Sequence, residues 1–309
     1  MGEALIDLIH TEDGSDPVPL IGGSPYNVAI AMARLGLDVG FICPISSDAF
    51  GQRLAQGLID EGVQQCISER AEAPSAVAEV FTDTSGHPRY VFHRERTADR
   101  ALGMHPPIQA LPAQVEALHF GSLVLAQAKD WPAWRTAIVE ARSRGAFIAF
   151  DPNVRPALID DLDAYRERVE DAVELADLVK ASDEDLLHLW PRQTPEERIQ
   201  QWLSPHRTVV LTKGGDGCQL WAHPDTVAVY RAAAHVNIVD TVGAGDTFQA
   251  ALIAGFLQRA SPSSALGVQE ATELLDFAST AALINCSRAG CQPPTGKEIE
   301  WHQDKHAPQ

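Results

Sequence analysis

Two acidic residues bracket a run of small residues in the stretch DTVGAGDTF, residues 240–248. Gly243 and Gly245 leave backbone amides uncovered, and the helix predicted to follow adds the positive end of its dipole. Such a helix start can bind an anion, including a phosphate. Asp246 can act as a helix cap there, and beside a bound phosphate it can also collect a proton. The stretch therefore predicts a phosphate site with a candidate base.

Two other phosphate-binding motifs do not fit the chain. The dinucleotide motif GxGxxG needs a glycine where Phe248 stands. A P-loop has four residues between its first glycine and Gly-Lys. The stretch from Gly290 to Lys297 has five, and it continues with Glu298. Any phosphate must therefore be bound by a different loop.

Alternating strand and helix patterns position these residues. Apolar runs such as ALHFGSLVL, AFIAFDPN and VVLTKGG are separated by amphipathic stretches such as WPAWRTAIVEARSRG. Buried strands separated by helices predict a mainly parallel sheet covered on both faces, which is a three-layer α/β/α fold. We also predict a strand at 39–45, helices at 24–36, 50–61, 162–176, 246–259 and 268–285, and a frayed polar tail at 301–309.

The segment AVAEVFTDTSGHPRYVFHR, residues 76–94, has a different pattern. Two β-rich runs flank the turn residues Asp83 to Pro88, which predicts a hairpin standing apart from the main sheet. At the N-terminus, GEALIDLI is typical of a short strand that ends at Asp7. Because the chain begins almost inside that strand, we expect its true start to lie upstream of Met1.

Composition limits the class of protein. With 309 residues and 45% hydrophobic content, the chain can form one main domain, residues 1–309, with a small accessory element. It has neither a run of roughly 18 apolar residues nor a cleavable leader, so we expect a cytoplasmic protein. The formal charge of −18 argues against nucleic acid and membrane partners. The five cysteines lack the spacing of a zinc site.

Two motifs resemble signatures of the ribokinase-like carbohydrate kinases, the PfkB family. DTVGAGDTF is similar to the C-terminal signature and GGSPYNVAIAMARLG to the N-terminal one. They occur in the family's order, and the resemblance covers essentially the whole chain. It implies a sugar kinase that uses ATP and Mg²⁺, with Asp246 as general base. The phosphoryl charge would be stabilised by the amides of Gly243, Ala244 and Gly245.

The resemblance also implies binding residues elsewhere in the chain. For the sugar they are Asp7, Gly22, Gly23, Asn27, Arg94 and Arg155. For the nucleotide they are Lys180, Ser182, Thr212, Lys213, Gly214, Gly217 and Asn285. Asp185 would reach Mg²⁺ through water, although the family more often has Glu there, and K⁺ is a further candidate cofactor. Taken singly, Asn27 also fits a helix cap, the glycines fit plain turns, and Arg94 fits a solvated edge.

The resemblance assigns a role to the hairpin as well. Ribokinase-like enzymes carry a β-sheet lid over the sugar, which implies a lid built from about residues 10–20 and 75–100 and a homodimer formed through it. The stretches ALINCSRAGCQPPT, GEALIDLI and RTADRAL most resemble bacterial fructokinases, so the expected product is fructose 6-phosphate. The alternatives are a 2-keto-3-deoxygluconate kinase, another ribokinase-like sugar kinase, or a non-catalytic sugar-binding protein.

Overall fold

Strands and helices alternate along most of the chain. The computed structural model describes residues 1–10, 15–82, 88–222, 229–231, 237–259 and 266–306. The strands are β1 (Leu5–Ile9), β2 (Val18–Gly22), β3 (Gly40–Phe41), β4 (Gln64–Gln65), β5 (Ala76–Thr82), β6 (Pro88–His93), β7 (Ala117–Gly121), β8 (Phe147–Asp151), β9 (Leu178–Ser182), β10 (Thr208–Thr212), β11 (Cys218–Trp221) and β12 (Val229–Arg231). The helices are α1 (Ser24–Arg34), α2 (Ala49–Asp60), α3 (Trp131–Ser143), α4 (Leu162–Leu175), α5 (Asp183–Leu189), α6 (Pro195–Trp202), α7 (Ala244–Leu257), α8 (Val268–Cys286) and α9 (Gly296–His306). Short 3₁₀ helices lie at Ala98–Arg100, Pro107–Ala110, Ser122–Val124, Pro156–Leu158 and Gly214–Asp216.

The larger sheet has six strands in the order β12-β11-β10-β9-β8-β7. Strands β7 to β10 run parallel, and β11 and β12 continue the sheet antiparallel at one edge. The predicted mainly parallel sheet is therefore confirmed. Because parallel strands present their carboxyl ends at a common edge, Asp151, Ser182 and Thr212 at the ends of β8, β9 and β10 lie along that edge.

Alternate residues of these strands cover both faces of the sheet. Ile148 and Phe150 pack on one face against helices α3 to α6, whereas Phe147 and Ala149 pack on the other face against α1, α7 and α8. Successive side chains of a strand point to opposite sides, so a continuous apolar run is buried on both. This packing produces the three predicted layers of helix, sheet and helix.

A second, smaller sheet has four strands in the order β2-β1-β5-β6. Strands β5 and β6 pair antiparallel as the hairpin pattern predicts, while residues 83–87 of the predicted turn lie outside the described residues. Strand β1 differs from the prediction because it continues to Ile9, which places Asp7 in mid-strand opposite Leu20. The smaller sheet therefore includes residues 5–9 besides the segments expected to build it.

Two other stretches differ from their predicted structure. Of the predicted strand 39–45, only Gly40–Phe41 pairs, with Gln64–Gln65 in a separate ladder. Pro44 follows closely and has no amide to extend that ladder. The predicted frayed tail is helical through His306, because α9 is anchored by the fully buried Ile299. In the described part of the chain, no helix combines the length and apolar character needed to cross a bilayer.

Candidate active site

Asp246 lies in the first turn of α7 and is 8% exposed. Ser24 Oγ donates to its Oδ1 at 2.6 Å, and Asn27 Nδ2 donates to its Oδ2 at 2.8 Å. Both donors come from the start of α1. A carboxylate held by two donors has a defined orientation, and each oxygen keeps a lone pair for another proton. This arrangement suits a general base.

The turn before α7 requires a glycine. Gly243 has a φ of 74°, in the left-handed region that favours glycine. A Cβ at this position would lie 2.2 Å from Sγ of Cys291, so the thiol packs directly against the start of the helix. Burial raises the pKa of the Cys291 thiol, and the nearby carboxylate of Asp246 adds to this effect. Cys291 is therefore a neutral packing group beside the predicted phosphate site.

The predicted anion site at this helix start has fewer free amides than expected. Ala244 N donates to the carbonyl oxygen of Thr241 at 3.1 Å, because the chain turns sharply before α7. The predicted role of the Ala244 amide in binding phosphate is therefore not supported. Gly245 is exposed, and as the second residue of α7 its amide has no acceptor within the helix. The amides of Gly243 and Gly245, with the helix dipole, are left to stabilise an anion.

A buried ion pair lies beside the helix start. Lys180 Nζ donates to Oδ2 of Asp151 at 2.7 Å, and a Cβ on Gly245 would lie 3.2 Å from the same Nζ. Burial acts to lower the pKa of Lys180, but the carboxylates of Asp151, Asp185 and Asp246 raise it above its ordinary value. Lys180 is therefore a fixed positive charge next to the amides that would face a phosphate.

Polar side chains brace the loop that leads into α7. Asp240 accepts hydrogen bonds from the amides of Val242 at 3.0 Å and Gly290 at 2.8 Å. Asn285 donates to the carbonyl of Val242 and accepts from the amide of Gln292, both at 2.8 Å. Asn285 is fully buried, with 0% exposure. The predicted contact between Asn285 and the nucleotide is therefore not supported, because both ends of its side-chain amide support the loop instead.

Asp7 and Gly22 lie side by side on the smaller sheet. A Cβ on Gly22 would lie 2.2 Å from Oδ2 of Asp7, so only glycine leaves room for the carboxylate in this position. Burial raises the pKa of Asp7 to about 6, against the opposing effect of Arg155. Burial also raises the pKa of Tyr90, with Asp7 and Asp240 adding to the rise and Arg155 opposing it. These side chains thus lie within electrostatic range of one another, between the smaller sheet and the loop before α7.

Gly23 and Arg155, also predicted to bind the sugar, adjoin this region. Gly23 is the residue before α1 and has a φ of 108°, and a Cβ there would lie 2.8 Å from the carbonyl oxygen of Glu3. Arg155 Nη1 donates to the carbonyl oxygen of Asn153 at 3.2 Å and to its Oδ1 at 2.6 Å. Arg155 is therefore held by Asn153, within electrostatic range of Asp7, and its contact with the sugar stays a prediction.

Arg94 lies in a buried ion-pair cluster rather than on a solvated edge. Its Nε donates to Oδ2 of Asp99 at 2.6 Å, and its Nη1 donates to the carbonyl oxygen of Leu123 at 3.2 Å. Asp99 also accepts from Thr97 Oγ1 at 2.6 Å. The side chains of Arg94 and Asp99 are only 5% and 1% exposed. The predicted contact between Arg94 and the sugar is therefore not supported, because burial and pairing commit the guanidinium to protein groups.

Residues predicted to bind the nucleotide lie at the carboxyl ends of β9 and β10. Ser182 and Thr212 are partners in the register of these two strands. Thr212 Oγ1 donates to the carbonyl oxygen of Ala181 at 3.5 Å. Gly214 and Gly217, with φ of 50° and 96°, form the tight turn between β10 and β11. Apart from its chain neighbours, no atom of the described residues lies within 4 Å of a Cβ built on Gly214.

Lys213 is paired with a carboxylate in this structure. Its Nζ donates to Oε1 of Glu196, in the first turn of α6, and this hydrogen bond lowers the pKa of Glu196. The two side chains are 24% and 42% exposed, and such an ion pair is weak because water competes for both charges. A phosphate can therefore replace Glu196 at the ammonium, which leaves Lys213 a candidate phosphate contact.

Asp185 caps the start of α5 together with Ser182. Asp185 N donates to Ser182 Oγ at 3.1 Å, and Ser182 N donates to Asp185 Oδ2 at 3.3 Å. Val154 N donates to Asp185 Oδ1 at 2.8 Å. Each carboxylate oxygen keeps a lone pair, so Asp185 can still accept a hydrogen bond from a water bound to Mg²⁺. Within the described residues no three His, Cys, Asp or Glu side chains can together hold a metal, so an ion here would depend on phosphate and water ligands.

Two residues of the site, Ser24 and Glu3, were not predicted from the sequence. Ser24 donates to Asp246, and the Ser24 amide donates to Oε1 of Glu3 at 3.3 Å. Ser24 stands three residues before Asn27, so both face the same side of α1, and this spacing indicates Ser24 once Asn27 is singled out. Nothing comparable in the sequence indicates Glu3, which meets Ser24 only in the folded chain.

The chain is similar to known proteins over nearly its whole length. Residues 1–298 match the pfkB family of carbohydrate kinases. The chain is 32% identical to fructokinase-1 of Oryza sativa subsp. japonica over 308 residues, covering 97% of this chain and 94% of the relative. It is similar to the structure of Xylella fastidiosa fructokinase with bound ATP, with a TM-score of 0.88, 25% identity and coverage of 99% and 98% of the two chains. The Vibrio cholerae O395 fructokinase bound to fructose, ADP and calcium is also similar, with a TM-score of 0.84, 26% identity and coverage of 97% and 96%.

Proposed function

Because the chain belongs to the pfkB family of carbohydrate kinases, and is therefore a sugar kinase, we propose that it phosphorylates the primary hydroxyl of D-fructose with ATP. The products are fructose 6-phosphate and ADP. The relatives support this sugar, since the rice protein is a fructokinase and the V. cholerae structure holds fructose and ADP. The X. fastidiosa structure, which holds ATP, supports the phosphoryl donor.

The position of Asp246 carries the proposal. Its buried carboxylate is held at the start of α7, beside the exposed Gly245 and the ammonium of Lys180. The sugar oxygen forms a bond to the γ-phosphorus while the bond from phosphorus to the bridging oxygen of ADP breaks. The hydroxyl proton passes to Asp246. The amide of Gly245 and the charge of Lys180 stabilise the phosphoryl oxygens during the transfer.

We propose Mg²⁺ as the metal that accompanies ATP. When bound, it neutralises charge on the β- and γ-phosphates. Asp185 would hold one of its waters, while Lys213, Gly214 and Gly217 would face the nucleotide from the β10–β11 turn. A requirement for K⁺ remains a prediction from the resemblance.

The charges of the sugar side favour a neutral substrate over a keto acid such as 2-keto-3-deoxygluconate. A carboxylated substrate needs an extra cation in the cleft. Arg94 is already paired with Asp99. The charge of Arg155 lies close enough to Asp7 to oppose the rise in the pKa of that carboxyl. Asp7 itself would repel a carboxylate. The base and the glycine turn are both present, so a non-catalytic sugar-binding protein has no support.

Coupled measurement of ADP release across fructose, ribose, 2-keto-3-deoxygluconate and adenosine tests the proposal. We expect fructose to give the highest kcat/KM and Asp246→Asn to lower kcat by about 10² to 10⁴-fold. Asp161→Asn, which alters a helix cap on α4, is the matched control and should leave kcat unchanged. If no sugar of the panel elicits ADP release, the kinase activity is refuted, and if the keto acid alone elicits it, fructose as the substrate is refuted. A near-normal rate for Asp246→Asn would refute the base.

We also propose one kinase domain over residues 1–309, in which the smaller sheet acts as a lid, and a cytoplasmic homodimer formed through that sheet. The exposed apolar side chains of Val18 and Leu20 on the edge strand β2 support the pairing. Sedimentation equilibrium should give twice the chain mass of 33.4 kDa. A monomer at micromolar concentration would contradict the dimer.

A further inference from the structure

A buried hydroxyl holds one oxygen of the proposed general base. Ser24 is 7% exposed, and its bond to Oδ1 of Asp246 is buried, whereas the bond from Asn27 to Oδ2 is only part-buried. We propose that Ser24 is a positioning residue: its hydroxyl holds Oδ1 so that Oδ2 faces the sugar and receives the proton. This inference rests on the proposed function, because Ser24 has this task only if Asp246 is the base.

The backbone contacts of Ser24 hold the residue in place beside Asp246. Ser24 is the first residue of α1 and is followed by Pro25, whose ring restricts the backbone. The Ser24 amide donates to Oε1 of Glu3, and the Leu123 amide donates to Oε2 of Glu3, both at 3.3 Å. Glu3 thereby ties the start of α1 to the segment after β7. The backbone of Ser24 therefore cannot shift away from Asp246 without disturbing these contacts.

Several ionisable groups surround the Ser24–Asp246 hydrogen bond. Lys180 on β9 and Asp151 on β8 both interact electrostatically with Asp246, and the thiol of Cys291 lies against the residue before α7. Asp185 on α5 acts on the same ion pair. None of these groups replaces the hydroxyl of Ser24, because in the described contacts the side-chain donors to Asp246 are Ser24 and Asn27.

Removal of the hydroxyl should change catalysis in a specific way. In Ser24→Ala, Oδ1 of Asp246 loses its buried donor, so the carboxylate is no longer held with Oδ2 toward the sugar. Because a hydrogen bond to a charged group is lost, kcat should fall by roughly tenfold or more. The KM for fructose should change by less than about threefold, since the hydroxyl of Ser24 is donated to Asp246.

Steady-state kinetics of Ser24→Ala, Ser24→Thr and Ser24→Cys, with the wild-type protein, test the proposal. Threonine keeps the hydroxyl and should restore most of kcat, whereas cysteine keeps the volume but is a weak donor and should resemble alanine. Ser75→Ala is the matched control, because Ser75 is equally buried and donates to the carboxylate of Asp48 at 2.7 Å away from the site. It should change the thermal unfolding midpoint without changing kcat or the KM for fructose.

A double-mutant cycle separates positioning from general loss of structure. In the Asp246→Asn background, measured by single turnover, Ser24→Ala should have little further effect on the rate. Equal losses in both backgrounds, or a wild-type kcat in Ser24→Ala, would overturn the proposal. If Ser24→Ala does not fold, the same two comparisons of rate are made with Ser24→Cys. Absence of ADP release from the wild type with every sugar would instead overturn the proposed function and this inference with it.

Discussion

The carboxylate of Asp246 is both part of a helix start and the proposed proton acceptor. A negative charge in the first turn of α7 is stabilised by the helix dipole, typically by about 0.3–1 kcal/mol. The same location places the carboxylate beside the amides that face an anion. The sequence allowed two interpretations of Asp246, a helix cap and a general base. The two are therefore compatible.

Gly243 has a left-handed backbone conformation and also packs closely against Cys291. We expect Gly243→Ala to lower the free energy of unfolding by about 1–3 kcal/mol from its left-handed conformation alone. Contact with Cys291 should add to this loss and displace the start of α7, so that kcat falls as well. Urea unfolding and ADP release measure the two effects.

Gly145→Ala is the matched control for this prediction. Gly145 has a φ of 89°, but no atom lies within 4 Å of a Cβ built there. It should show the conformational loss of stability and keep full activity. Equal activity in both variants would contradict the role of Gly243 at the site.

We expect the buried carboxylate of Asp7 to lower the free energy of unfolding while it contributes to sugar binding. Burial raises its pKa from 3.8 to about 6, so the folded state holds the proton more tightly than the unfolded chain. The free energy of unfolding therefore decreases as pH rises between these values, and the loss persists above them. About two pKa units correspond to about 3 kcal/mol, and partial exposure reduces this to about 1–2 kcal/mol.

Asp7→Asn should consequently stabilise the protein at pH 8, change stability little at pH 4, and raise the KM for fructose. Denaturant unfolding at the two pH values and steady-state kinetics measure these effects. Asp38→Asn, at an exposed position before β3, is the control and should shift stability by less than about 0.5 kcal/mol at either pH. Destabilisation of Asp7→Asn at pH 8 would contradict the assigned effect of burial.

At the scale of elements, the site depends on two helix starts that meet. Ser24 and Asn27 at the start of α1 contact Asp246 at the start of α7, which brings the two family signatures together. The third helix start, that of α5, contributes Asp185 beside the buried pair of Lys180 and Asp151. Helix starts suit a phosphate site because each supplies amides and a positive dipole end.

The capping box of α5 leads to a prediction for this element. Asp185→Ala removes the bonds to Ser182 and Val154, so we expect a loss of about 1–2 kcal/mol in the free energy of unfolding. It should also raise the Mg²⁺ concentration needed for half-maximal activity by about tenfold. Loss of a side chain that hydrogen-bonds to a ligand of the metal typically weakens metal binding by about this factor. Titration of activity with Mg²⁺ measures this.

Asp161→Ala separates the two effects of Asp185→Ala. Asp161 caps α4 by accepting from the Ala164 amide at 3.0 Å. Its replacement should cost about 1 kcal/mol and leave the Mg²⁺ titration unchanged. If both variants titrate alike with Mg²⁺, Asp185 is a cap alone.

At the scale of the whole molecule, the proposed site lies where the two sheets meet. The larger sheet supplies Asp151, Lys180, Ser182 and Thr212 from its carboxyl edge, and the smaller sheet supplies Asp7 and Gly22. The molecule carries a formal charge of −18, so an anionic nucleotide is attracted only by local groups. We propose Lys180, Lys213 and the start of α7 as these groups.

The order of strands and helices, the parallel sheet and the two glycine-rich motifs were predictable from the sequence. Each depends on neighbouring residues: apolar runs indicate buried strands, and Gly243, Gly245 and Asp246 stand close together in the chain. Burial on both faces of β8 follows directly from its unbroken apolar composition. Local composition was therefore sufficient for the architecture, and the phosphate loop stays a prediction.

Only the tertiary structure decided which side chains are free to act. Arg94, Asn285 and the Ala244 amide are engaged by protein groups, while Ser24 and Glu3 join the site. Ser24 and Asp246 are separated by 222 positions in the chain. A hydrogen bond between them depends on how α1 and α7 pack, and no local pattern of residues carries that information, because partners distant in sequence are selected by the shared core that buries them.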